Sequence, residues 1–459
     1  MAHLSVIAKI YTPQAWDFSD LYQGFDDPQF DQDLQALQQQ AGEFRQNYRS
    51  QVSQLTPEEI AQCLRQLEAI SEKYSHLDTF ANLIVCANPR NHEAKQFLNN
   101  VRVALTRIHN QLLFFNLELQ DLDTAKFDEL QTSPALSNYS YYLNRITQFR
   151  VHTLPKEVER TRNRDNLTGR QAFIELYAVH RSEQDYEAVT TPDGKAAEIE
   201  AELEALLFHP ESEVRYDAYR SLQQGIEGNI TLYGLILNNI CQDHYIESQM
   251  RGYPSTFHKQ LLASDVPESV FRAVMDGIGD RINLFQDYYQ LKGKAIGHKI
   301  RTCDLYAPWT DDDPLQTIDY KTGVETLLEA LKQFDIFYAN RAADLFSNRW
   351  VDAKVRAGKG SGVLCFPTYA KHSYLSLSYT EDYNSLFTLA HQVGQGLHFA
   401  RTRANQSYFN SKPPLILAEV ASNFNKLLLF DYLQKEAGDD KSRRQALLAR
   451  LLDDQLNLL

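Results

Sequence analysis

From Asp26 to about Ser182, apolar residues recur at the spacing of one helix face, as in Phe30, Leu34 and Leu37, and again in Leu112, Phe115 and Leu117. A period near 3.6 residues buries one stripe of each segment, which predicts a bundle of amphipathic helices. Pro28, Pro57 and Pro134 punctuate the run. Thr56-Pro57-Glu58-Glu59 reads as an N-cap followed by proline at the first helical position. The pattern breaks near Val189, where Thr190-Thr191-Pro192-Asp193-Gly194-Lys195 forms a turn cluster. This places a helical domain over residues 1–190 and a second domain over 191–459.

Helical spacing resumes over Ala196 to Leu207 and Glu213 to Leu291, with His209-Pro210-Glu211-Ser212 as a turn and cap between them. Alternating apolar and polar residues then predict strands at Thr302 to Tyr306 and within Trp350 to Tyr379, hence one small sheet among helices. Gly358-Lys359-Gly360-Ser361-Gly362 lacks the spacing of a phosphate-binding loop and no helix start follows it, so a phosphate site is excluded there.

Chemistry concentrates between Thr388 and Lys426, in T-L-A-H-Q-V-G-Q-G-L-H-F-A-R followed by L-A-E-V-A-S-N-F-N-K. Two side chains four residues apart project from one helix face, so His391 and Gln395 point the same way. A zinc peptidase of this layout needs imidazoles at both positions, a glutamate general base directly after the first, and a carboxylate from a following helix. Here the first position is His391, the base position holds Gln392, the second ligand position holds Gln395, and Glu419 stands ready as third ligand.

The flanks carry a family resemblance. Tyr379 to His391 and Gly396 to His398 resemble the metal helix of the oligoendopeptidase F branch of the thimet-oligopeptidase family. The likeness runs through Trp16–Tyr22, Arg251–Tyr253, Tyr288–Gly297, Asp304–Pro308 and Trp350–Gly362. It implies a mainly α, zincin-like oligopeptidase fold with the small sheet beside the metal-type helix, zinc as the family cofactor, and Arg251 and Tyr253 near a peptide groove. The bland reading of R-G-Y is a surface turn.

Set beside the family pattern, the site is altered. An amide at 392 cannot accept and hand on a proton, and such bases contribute on the order of 100- to 10,000-fold. The amide of Gln395 is a weak donor for zinc. His398 lies two turns from His391, too far along the helix to meet it easily on one ion, and reads as a packing residue. His391 itself is read either as a ligand or as a packed core histidine. Lys426 replaces a family carboxylate, so it opposes a dication and offers Glu419 a counter-charge, or else makes a salt bridge elsewhere. Zinc is therefore expected to be absent or weakly held. By the same resemblance, the second domain is expected to be short at its C-terminal end.

Net charge of −14 disfavours nucleic acid and anionic lipid surfaces as partners. Five cysteines without a C-x-x-C pair fit buried thiols, and no run approaches the roughly 20 apolar residues that span a bilayer, so a cytoplasmic protein is expected. Short peptides are the expected ligands, with a protein partner or a second copy as the other class of partner. Three functions follow: a pseudo-peptidase that retains a peptide groove, an active zinc metallo-oligoendopeptidase, or a non-catalytic interaction subunit.

Overall fold

A computed structural model of the chain describes residue 13 and residues 15–309, 315, 317–359, 362–369 and 371–457. Three long helices open it: α1 (Pro28–Tyr48), α2 (Pro57–Ala87) and α3 (His92–Gln120). The expected cap of α2 is present, with Thr56 and Glu59 each accepting from the other's backbone N–H. Phe30, Leu37, Phe80, Leu105, Phe114 and Phe115 interlock between these helices in a core with almost no solvent contact. Shorter helices α4 (Thr124–Thr132), α5 (Ser140–Arg150), α6 (Lys156–Thr168) and α7 (Arg170–Glu183) follow.

The turn cluster after Val189 is a hairpin of β1 (Val189–Thr190) and β2 (Ala196–Ala197), so the chain has a second small sheet beyond the one expected. Helix resumes only at α8 (Glu200–Leu206). It continues through α9 (Ser212–Glu227), α10 (Ile230–Met250), α11 (His258–Ala263), α12 (Glu268–Gly279) and α13 (Ile282–Ala295). Glu211, rather than Ser212, holds the cap position of α9, and its side chain makes no capping bond.

The predicted strand at Thr302–Tyr306 is instead a 3₁₀ turn over Thr302–Asp304. Its cause is charge: Asp304 is fully buried and drawn onto Arg215 (2.9 Å) and Arg301 (2.9 Å), which curls the backbone out of an extended path. Helices α14 (Tyr320–Phe334) and α15 (Ile336–Ser347) lead to the main sheet. It is three-stranded, in the order β3 (Val351–Asp352), β5 (Ser373–Ser376), β4 (Leu364–Pro367). β3 runs parallel to β5 and β4 antiparallel to it, with Phe366 opposite Tyr374.

The central strand is buried throughout and fastened to the start of the chain. The Trp16 indole N–H reaches the carbonyls of Leu375 (2.8 Å) and Trp350 (3.1 Å). Asp20 accepts from the Tyr374 hydroxyl at 2.7 Å and lies 2.6 Å from His372, whose ring stacks on Trp350. Tyr374 thereby joins the N-terminal core although it lies far along the sequence. Beyond the sheet come α16 (Tyr383–Asn405), α17 (Leu415–Glu436) and α18 (Lys441–Asn457). The fold is the expected mainly helical one, with small sheets and one of them beside α16.

Candidate functional site

Helix α16 begins where Asp382 accepts from the backbone N–H of Ser385 at 2.7 Å. Its buried stripe, Leu386, Leu389, Ala390, Val393 and Leu397, packs with Leu375 of β5 and with Leu377 just after it. Helix α17 lies against it unusually closely. A Cβ added at Gly394 would stand 2.6 Å from the Ala421 carbonyl oxygen, and one at Gly396 would stand 3.2 Å from Leu375. Gly396 faces the sheet side and a leucine side chain, whereas Gly394 is required by the close approach of α17, and the seam it allows sets the height of α17 relative to His391. Asn425 completes it, accepting from the Tyr338 hydroxyl at 2.8 Å.

At this seam His391 Nε2 and Glu419 Oε2 are 3.5 Å apart, both side chains partly open to solvent. Burial pushes the His391 pKa down; Glu419 pulls it up, Lys426 pushes it further down, Asp454 opposes, and the net direction is down. The imidazole is therefore favoured neutral, the state a metal ligand needs and equally that of a packed histidine. Gln392 is buried, and its amide oxygen has no hydrogen-bond partner. Gln395 is half-buried one turn further along. His398 is half-buried with Nε2 unpartnered, and burial lowers its pKa.

Lys426 is nearly buried on α17, and its ammonium pairs with Asp454 of α18 rather than with Glu419. Of the two partners the sequence left open, Glu419 or a salt bridge elsewhere, it is the second that forms, with a carboxylate 28 residues later. Arg251 and Tyr253 sit in the turn that closes α10, where Gly252 takes a φ of +65°. The Arg251 guanidinium is engaged by Glu159 (2.7 and 3.0 Å) and Glu247 (2.9 Å), and Tyr253 stacks on His152. These contacts fasten α10 to α6. Lys359 of the glycine-rich segment is likewise internal: it donates to the Leu377 carbonyl (2.6 Å) and to Asp352 (2.9 Å), and burial lowers its pKa to about 8.

The donor set can be tested against zinc. Two ligands about 2.0–2.2 Å from one ion at a tetrahedral angle lie roughly 3.3–3.5 Å apart, and His391 and Glu419 meet that spacing. Beyond them the set fails. No group of three or more His, Cys, Asp or Glu side chains that could hold a metal occurs among the described residues. The neutral amides of Gln392 and Gln395 do not replace an imidazole and a base. The residues present do not fit a firmly held catalytic zinc.

Sequence reasoning missed Gly394, Gly396 and Asp454. Glycine at 394 in the middle of a helix was the available signal for a close crossing. Asp454 gave none, since only the packing of α18 brings it to Lys426.

The model described as Peptidase family M3 matches residues 315–458, and the one described as Oligopeptidase F matches residues 118–182. An oligoendopeptidase F homolog of Lactococcus lactis subsp. lactis (strain IL1403) is 33% identical over 241 residues, covering 52% of this chain and 40% of that protein. The chromosomal oligoendopeptidase F of Lactococcus lactis subsp. cremoris is 26% identical over 392 residues, 84% of this chain and 64% of that one. The matches thus span less than two thirds of either relative. The crystal structure of oligoendopeptidase-F from Enterococcus faecium superposes with a TM-score of 0.64 at 18% identity, over 93% of this chain and 71% of that chain, a likeness of fold.

Proposed function

Because this chain belongs to the oligoendopeptidase F group of peptidase family M3, we propose that it is a peptide-binding member of that family in which zinc-dependent hydrolysis is lost or weakened. The observation that carries this reading is Gln392. Its buried amide, whose oxygen has no partner, stands where the resemblance calls for the general base, and it can neither take up nor release a proton at catalytic rates. Gln395 removes an imidazole from the same face, so a water near His391 has neither a firmly held ion nor a base to activate it. Losses at one centre do not add, because the second has nothing left to act on.

Peptide binding rests on the sheet. β4 pairs with β5 on one side only, and its other edge takes part in no strand pairing of the described residues. An extended peptide could align its backbone there without a sequence requirement. Residues 1–190 would form the supporting helical domain and 191–459 the catalytic-like domain. A cytoplasmic location belongs to the same proposal; no helix of the described residues is long and apolar enough to cross a membrane.

The 3.5 Å spacing of His391 and Glu419 favours the second reading, an active zinc metallo-oligoendopeptidase. Metal analysis of dialysed protein and cleavage of quenched fluorescent oligopeptides separate the two. We expect well under one zinc per chain and no cleavage. Stoichiometric zinc together with turnover would establish the second reading instead. Gln392→Glu combined with Gln395→His should restore metal binding more readily than turnover.

A further inference from the structure

β4 ends at Pro367, and a small pocket opens there between Thr368, the last turns of α16 and the 3₁₀ turn Tyr408–Asn410. Two cations reach it. Arg403 of α16 is anchored by one N–H on the Thr368 carbonyl at 3.3 Å, and Lys412 stands 5.8 Å from the centre of the Tyr408 ring. Neither makes an ion pair among the described residues, which sets them apart from Arg215, Arg251 and Arg356, each held by a carboxylate. Burial pushes the Arg403 pKa down, and the charge of Arg341 on α15 pushes it the same way. Carboxyls do approach from α2, where Glu72 and Asp78 lie near Tyr408, but burial raises the pKa of both.

The third polar group is Thr368 itself. It is 4% exposed, and its hydroxyl has no hydrogen-bond partner. An unpaired buried hydroxyl is costly, and so is a half-buried guanidinium with no counter-charge. One carboxylate would satisfy all three groups, since it accepts from a hydroxyl and from both cations at once. Arg403 follows His391 on the same helix at a rise of roughly 18 Å, counted at about 1.5 Å per residue. The pocket is therefore separate from the His391–Glu419 pair, about five residues of extended chain away at about 3.3 Å each.

We infer that this pocket binds a carboxylate of a peptide paired along the free edge of β4, so that Arg403, Lys412 and Thr368 give the groove a preference for acidic peptides. The inference rests on the peptide groove proposed above and adds what that groove selects. Backbone pairing on a strand edge makes no demand on sequence. A net charge of −14 repels acidic peptides at long range, and the two unpaired cations supply the local attraction that reverses this at the pocket.

The test is calorimetry of the 459-residue chain with four N-acetylated octapeptides of alanine, valine and serine, which differ only in an internal Glu or Gln and in a free or amidated C-terminus. Peptides with a carboxylate in the pocket should bind about tenfold more tightly than the amidated Gln peptide. Which peptides keep the gain identifies the side chain or the terminus as its source. Lys412→Gln, at an exposed site, and Arg403→Gln should each remove most of the gain with unchanged circular dichroism. Arg272→Gln, which takes the same charge from exposed α12, should leave the gain intact. Equal affinity for all four peptides, or a gain that survives both pocket substitutions, overturns the inference and leaves the groove standing. Binding of none of the four removes the groove and this inference together.

Discussion

Two helical regions with the same sequence period are held together by different forces. In α1–α3 the apolar stripes face one another: α2 alone buries Ile60, Leu64, Leu67, Leu77, Phe80 and Leu83. In α10–α13 the stripes have little to face. Helix α12 is strongly amphipathic yet has no buried residue, α11 has none, and α10 has only Ile236 and Ser248. This region is fastened by charge, Arg251 at the end of α10 to Glu159 and Lys292 of α13 to Asp453 at 2.7 Å, while Arg215 and Asp304 tie the preceding α9 to the turn that follows α13. A 3.6-residue period therefore identifies a helix without identifying its partner.

The largest expected contrast is in truncation. Phe80, ringed by Phe18, Tyr22, Phe30 and Phe97, should cost about 3–5 kcal/mol as Phe80→Ala. Val274→Ala on exposed α12 should stay within about 0.5 kcal/mol. Urea unfolding followed by aromatic fluorescence checks both, and comparable losses would erase the distinction.

Next comes the charge anchor. Asp453→Ala leaves the fully buried Lys292 ammonium without its counter-ion and should cost about 3 kcal/mol or more. Hydrogen exchange should show the loss as faster exchange in α13 and α18, with α1–α3 unchanged. Exchange that rises evenly across the chain would mean the two regions do not differ as described.

Gly394→Ala should cost about 1–3 kcal/mol, because the added methyl meets the Ala421 backbone rather than a movable side chain. The mark of a local effect is faster exchange in α17 with α2 unaltered.

The smallest effect concerns pH. Burial raises the Asp304 pKa, but hydrogen bonds from Arg301 and Arg215 outweigh it and hold the carboxyl down to about 2. A pKa below the unfolded value means a contribution fully present above about pH 4 and lost as pH falls towards 2. Stability measured over that range should therefore have a shallower slope in Asp304→Asn than in the parent. An unchanged slope would show that this anchor does not titrate in the window.

What was legible in the sequence follows the same line. The Thr56 capping box, the helix from Tyr383 and the turn after Val189 are local events, set by residues within a few positions of each other, and each formed as its residues dictate. Thr302–Tyr306 misled because its alternation was outweighed by Arg215, which approaches Asp304 from 89 residues away. For Lys426 the sequence left two partners open, Glu419 or a salt bridge elsewhere, and only the later helix that carries Asp454 decides between them. His391, Gln392 and Gln395 were singled out by their spacing on one helix and Glu419 as the carboxylate of the following helix, and the structure brings Glu419 to 3.5 Å from His391. The tight helix crossing beside them could be read only from the neighbouring backbone.

The indole of Trp16 has a consequence in time. Its acceptor on Leu375 is synthesised 359 residues after it. At about 5–20 residues per second the wait is roughly 20–70 s. Through that interval the aromatic pair Trp16 and Phe18 has only early partners such as Phe80, and the strand they will clasp does not yet exist. Order beside the candidate site is thus a late event of biogenesis, and until Leu375 emerges Trp16 and Phe18 stay open to whatever chaperone or protease reaches them first.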